Sequence, residues 1–153
     1  MPLEKFTERA RKVVDLASAE AARLDDSSVN TVHLLVGMLH EGEGVAGKVL
    51  AEFDVNADTV LEANKSIGDV SDATLGEVES RCLIEAEWFN HHDVGTEHLL
   101  LGVCCLRDCK AAKLLTDIGK PPVELCQLVV EVVGHGHEWN RWLEDHPGLS
   151  GDS

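Results

Sequence analysis

The sequence predicts an all-α protein: two tandem four-helix repeats related by a pseudo-twofold, plus a short C-terminal tail. Three observations carry this. Asn30-Thr31-Val32-His33-Leu34-Leu35-Val36-Gly37 returns as Gly95-Thr96-Glu97-His98-Leu99-Leu100-Leu101-Gly102, 65 residues further on. The register extends beyond that segment. Val13 matches Val78, Glu20-Ala21 matches Glu85-Ala86, and Ala46, Lys48 and Leu50 match Ala111, Lys113 and Leu115. Finally, aromatic residues make up only 4 % and Tyr is absent, so the core is built from Leu, Val, Ala and Ile, a mix that favours helices. The boundaries that follow are 4–68 for the first repeat, 69–134 for the second and 135–153 for the tail.

The first helix is predicted over residues 7–24, where Val13, Val14, Leu16, Ala17, Ala21 and Leu24 form an apolar stripe at helical spacing. Asp25-Asp26-Ser27-Ser28 breaks it. Thr31 is expected to cap a second helix over 31–40, its hydroxyl accepting from a first-turn amide. Gly42-Glu43-Gly44 ends that helix, a third covers 45–53, and Asn56 or Asp58 caps a fourth reaching Ile67. The second repeat copies the plan over 72–89, 96–106, 109–118 and 121–133, with Pro121-Pro122 in a first turn, where proline is tolerated. The β-branched run 125–133 could pass for a strand, but the repeat register decides for helix. Gly134-His135-Gly136-His137 closes the repeat, and residues 139–145 form one or two further turns.

The net charge of −15 is spread along the chain, which repels phosphate backbones and argues against nucleic acid as a partner. No apolar run approaches the ~20 residues that span a bilayer, and the start Met1-Pro2-Leu3-Glu4-Lys5-Phe6 has no signal-peptide core. Five cysteines, two of them adjacent at 104 and 105, suit a reducing cytoplasm better than a disulfide scaffold. A cytoplasmic location with no membrane contact is expected.

Few motifs point to chemistry. Residues 42–49, GEGVAGKV, imitate a phosphate-binding loop, but Val49 replaces the magnesium-holding hydroxyl and a helix precedes it rather than a strand. The glycines read as a helix-helix turn. His33 and His98 occupy equivalent places two residues after Thr31 and Thr96, and all four read as structural. Cys104, Cys105, Cys109, His91, His92, His135 and His137 lack the C-x-x-C spacing of a zinc site, so no metal, cofactor or catalytic residue is expected. Trp139, Trp142 and Leu143 share a face and are expected to dock on the repeats.

Phe6-Thr7-Glu8-Arg9-Ala10-Arg11-Lys12-Val13-Val14, then Thr31-x-His33-Leu34-Leu35-x-Gly37, then Glu41-Gly42-Glu43-Gly44-Val45-Ala46 resemble the Clp amino-terminal (Clp R) repeat. Gly95-Thr96-Glu97-His98-Leu99-Leu100-Leu101-Gly102 is the clearest signature, and the likeness to the N-domain of ClpC-type AAA+ unfoldases covers residues 4–134. The resemblance implies a non-enzymatic module that receives substrates and adaptor proteins, or docks on Clp ATPase or protease subunits. The ATPase modules are absent from this sequence, and the tail resembles a natural terminus, so a stand-alone adaptor or regulator is expected. The alternatives are an isolated N-domain of a Clp ATPase, or a repeat turned to binding a small molecule or metal.

ClpC-type members hold phosphorylated arginine in one pocket per repeat: the Glu of Gly-Thr-Glu-His faces the guanidinium, and a Thr opening the first helix helps hold the phosphate. Mapped repeat by repeat, the first keeps Thr7 but has Val32 at the Glu position. The second keeps Glu97 but has Asp72 at the Thr position, which would repel a phosphate. The expectation is at most weak phosphoarginine binding, with the second repeat the only candidate.

Overall fold

The computed structural model describes residues 4–68, 70–134 and 138–149. Its architecture is all-α, with four helices repeated in order. They are α1 (Glu8–Arg23), α2 (Thr31–Glu41), α3 (Val45–Glu52) and α4 (Ala57–Ile67), then α5 (Leu75–Trp88), α6 (Thr96–Cys105), α7 (Lys110–Asp117) and α8 (Pro122–Val133). The tail adds α9 (Trp139–Glu144) and a 3₁₀ turn at Pro147–Leu149. Residues 125–133 lie in α8, as the repeat register requires. Among the described residues the only strand-like feature is an isolated bridge between Phe6 and Val94.

Packing repeats as well as sequence. α1 lies along α2, and α5 along α6. Across the two halves, α3 meets α6 while α2 meets α7, and α3 meets α8 while α4 meets α7. These crosswise pairs are what a pseudo-twofold produces. One core results: Leu34, Leu35, Leu99 and Leu100 are all fully buried, with Val13 and Val78 beneath them. The hydrophobic term from such side chains is about 1.5–3 kcal/mol each. α1 and α2 approach closely at Gly37, where an added Cβ would stand 2.6 Å from the Val13 carbonyl oxygen.

Starts and stops follow local chemistry. Thr7 caps α1 by accepting from the Ala10 amide at 3.1 Å, and Asn56 caps α4 by accepting from Thr59. α2 ends on Gly42 in the left-handed region, where a side chain would be strained. The second repeat departs from the plan at one place. α5 begins at Leu75 behind the cap Thr74, not at the position equivalent to α1's start. The expected start at Asp72 is therefore corrected, because the Asp72 side chain is engaged elsewhere.

Candidate functional site

The site is built at the first turns of α2 and α6. In α2 the cap is Asn30, whose Oδ1 accepts from the amides of Val32 (2.9 Å) and His33 (3.1 Å). In α6 the cap is Gly95, which has no side chain to offer. Thr31 and Thr96 are thus first helical residues, not caps of their own helices as the sequence suggested. Their hydroxyls reach across the pseudo-twofold instead. Thr31 Oγ1 accepts from Ala111 N at 2.9 Å, and Thr96 Oγ1 accepts from Ala46 N at 3.1 Å. Each threonine caps the third helix of the other repeat. The approach is close: a Cβ on Gly44 would stand 2.4 Å from Thr96 Oγ1.

His33 and His98 close the same turns. His33 Nδ1 accepts from Asn30 N at 2.8 Å, and His98 Nδ1 accepts from Gly95 N at 2.9 Å. With Nδ1 an acceptor, each neutral ring carries its proton on Nε2. These face Asp26 Oδ2 at 2.7 Å and His91 Nδ1 at 2.9 Å. Burial holds His98 below its ordinary pKa, and the neighbouring His91 pushes the same way against Glu97.

Beside these turns the two halves differ. Asp72 lies against α2 and α7. Its Oδ2 accepts from Thr31 N at 3.0 Å, and its Oδ1 accepts from Thr31 Oγ1 and Lys110 N, both at 2.8 Å. At the equivalent place Thr7 stands near Thr96 and Val45, and an open cleft of about 800 Å³ replaces the carboxylate. Thr7, Arg9, Val45, Thr96 and Glu97 line that cleft with His91 and His92. Among the described residues the Thr96 and Val45 amides have no protein acceptor. Both lie at helix N-termini, where backbone N–H groups favour an anion. The Glu97 carboxylate stands at the cleft without an ion pair of its own among these residues, while Arg9 leans on Glu41 at 3.5 Å.

This regroups the four residues read from the family's pockets. The structure brings Thr7 and Glu97 to one cleft, across the repeats, and Asp72 to Thr31. Thr7 and Glu97 therefore line one cleft together, while Asp72 and Val32 do not line it. By sequence each repeat is expected to group its own residues, Thr7 with Val32 and Asp72 with Glu97, whereas the cleft takes Thr7 and Glu97 from different repeats. The signal that corrects it is the Phe6–Val94 bridge, with Thr7 N donating to Val94 O at 2.9 Å, which ties the chain's start to the other repeat.

The glycine-rich segment and the buried cysteines resolve into packing. GEGVAGKV forms the α2–α3 turn, and a Cβ on Gly47 would meet Gly42 Cα at 2.7 Å. Cys104, Cys109 and Cys126 are buried, and burial pushes the Cys109 thiol up to about 11. Of the imagined zinc ligands, His91 lies with Glu97 and His98, and Cys105 with Glu85 and His146. His98 Nδ1 is taken by the Gly95 amide, which leaves the proton on the nitrogen that would bind a metal. Glu85 already receives Arg81, Trp142 Nε1 (3.0 Å) and His146 Nε2 (2.6 Å). His135 and His137 lie outside the described residues.

The Glu85 cluster is what the sequence reading missed. Trp142 is fully buried and stacks on His146, docking the tail on α5. The signal was the repeated Glu20 and Glu85, each nearly or fully buried on an apolar stripe and each held by an arginine, Arg23 and Arg81.

A family model described as the Clp repeat (R) N-terminal domain matches residues 5–118. The chain belongs to this family. Relatives include the chloroplastic ClpA homolog of the Clp protease ATP-binding subunit from Brassica napus, 36 % identical over 145 residues. Chaperone protein ClpC1, chloroplastic, from Arabidopsis thaliana is also 36 % identical. Both alignments cover 88 % of this chain but only 17 % and 16 % of the relative, so the chain spans about a sixth of their length. The crystal structure of the N-terminal domain of the chaperone ClpD from Arabidopsis thaliana superposes with a TM-score of 0.73 at 21 % identity. It covers 88 % of this chain and 97 % of that one, and shares the Clp N-domain fold. The docked Trp142–His146 tail lies beyond the matched family region. No helix among the described residues is long and apolar enough to cross a membrane.

Proposed function

We propose that this Clp repeat domain is a non-enzymatic receptor module of a Clp protease system, receiving substrate or adaptor proteins in the cytoplasm. Its chemistry is recognition. The observation that carries the reading is the cleft between α1, α3 and α6, which sets two unpartnered helix-start amides beside the Glu97 carboxylate. Such a pair suits a ligand with an anionic group and a guanidinium a few ångströms apart. A phosphorylated arginine on a partner protein has that form, with the phosphate at Thr96, Val45 and Thr7 and the guanidinium at Glu97. The same cleft serves a stand-alone adaptor or the leading domain of an unfoldase.

Calorimetry with free phosphoarginine tests this. The expected result is one site per chain, weakened at least tenfold by Glu97→Gln, since a charge-assisted hydrogen bond contributes about 1.5–3 kcal/mol. No binding, or binding indifferent to Glu97→Gln, would sink the assignment. A pull-down that returns Clp subunits or their substrates would support the wider role.

A further inference from the structure

Asp72 stands on the pseudo-twofold counterpart of the open cleft, and its surroundings are those of a bound anion. One carboxylate takes four donors: Thr31 N at 3.0 Å, and Thr31 Oγ1, Lys110 N and its own neighbour Ala73 N at 2.8 Å each. The first three come from the starts of α2 and α7, in different repeats. Thr31 is fully buried, so its hydroxyl cannot turn to water for a substitute. Subtracting the 65-residue offset turns Thr31 into Thr96's counterpart and Lys110 into Val45's, the two residues whose amides stand empty in the first cleft. Only the residue that fills the cradle differs: Asp72 in one half, Thr7 in the other.

The local fold bends to allow this. Thr7 caps α1 directly, so α1 starts at the next residue. Asp72 could cap α5 in the same way, since Asp is a good cap. Instead its side chain points to α2 and α7, and α5 waits for Thr74, which makes a capping box with Glu77. The chain forgoes two helical residues and places a carboxylate at two converging helix N-termini.

We propose that Asp72 is a built-in ligand of the second cradle, occupying the place where the first cradle takes an external anion, so the protein holds one anionic ligand rather than two. This rests on the reading of the first cleft given above. A phosphate arriving at the second cradle must displace a carboxylate tethered within bonding distance, a competitor at an effective concentration on the order of millimolar or more. The displaced carboxylate, held there by the backbone, then repels it. Together these weaken an external anion at the second cradle by well over about tenfold relative to the first.

Titration of the full chain with inorganic phosphate, followed by backbone amide NMR shifts, tests both readings separately. In the unmodified protein the Thr96 and Val45 amides should shift, while those of Thr31 and Lys110 stay still. In Asp72→Thr, which copies the first cradle, the Thr31 and Lys110 amides should shift as well, and the stoichiometry should rise from one to two. Asp72→Asn, nearly isosteric, serves as a second variant should threonine disturb the fold, and predicts the same gain at higher phosphate. Silence at Thr96 and Val45 would fell the first-cleft reading alone. Shifts of Thr31 and Lys110 in the unmodified protein, or their silence in folded variants whose first cleft responds, would overturn the role given to Asp72.

Discussion

The reciprocal threonine caps should not be equally important, and the difference can be worked from their partners. Thr31 and Thr96 both hold a third-helix amide of the opposite repeat, at 2.9 and 3.1 Å. Replacing either with valine keeps the shape and removes the acceptor. The loss of one cap is about 0.5–2 kcal/mol. Thr31 also donates to Asp72 at 2.8 Å, a hydrogen bond to a charged group, for which about 1.5–3 kcal/mol is typical when buried. Asp72 is only half-buried, so water recovers part of that loss and the lower end applies. Thr31→Val should therefore destabilise by about 2–3.5 kcal/mol and Thr96→Val by about 0.5–2 kcal/mol. Urea unfolding followed by helical circular dichroism measures both, and unchanged m-values would keep the comparison within two-state behaviour. Equal losses, or a greater loss at Thr96, would refute the account of Asp72 as a charged partner of Thr31.

Leu99 is fully buried, and Leu99→Ala should cost about 2–5 kcal/mol in the same assay; a change below about 1 kcal/mol would place that face of α6 in solvent. His98 should titrate below its ordinary pKa, with the Gly95 amide moving in step, because protonating Nδ1 removes the acceptor that amide needs. Its folded value is depressed, so its contribution to stability is whole above pH 6.5 and is lost as pH falls below it. For Glu85, burial alone would raise the carboxyl, but His146 and Arg81 outweigh it and hold it low. That contribution is present above about pH 4.5 and is lost as pH falls through the lower folded value. Both groups make the domain acid-sensitive, and stability that rises between pH 6.5 and 4 would contradict them.

The fold was legible because periodicity and repetition report on burial directly. Leu34-Leu35 and Leu99-Leu100 sit at the same register, and a helix that hides one pair must hide the other. The chain turns at Asp25-Asp26-Ser27-Ser28 and Gly42 also fell where polar residues and a left-handed glycine end helices. What sequence could not give was pairing across the pseudo-twofold. A repeat in sequence suggests that each unit builds its own pocket, and reading Thr7 with Val32 followed that logic. In the fold, the start of α1 shares a cleft with the start of α6, and Asp72, ahead of α5, bonds to the start of α2, so the residues brought together stand some 90 or 40 positions apart (Thr7 with Glu97, Asp72 with Thr31). The same crossing moved Thr31 and Thr96 from capping their own helices to capping each other's neighbours.

That crossing also explains how two copies of one unit can diverge without loss of the fold. The caps that join the repeats use only threonine hydroxyls and backbone amides, which both halves retain. The cradle beside each cap is lined by the same backbone, so a single residue decides its occupant. With Thr7 the helix starts stay open to solvent and to a partner. With Asp72 the partner is already part of the chain, and the inter-repeat joint gains a charged hydrogen-bond acceptor that spans Thr31 and Lys110. The halves differ at one further position: Val32 is fully buried where Glu97, its counterpart, remains partly exposed at the open cleft. On the reading proposed for the open cleft, one half of the domain serves as scaffold and the other as the contact with ligands.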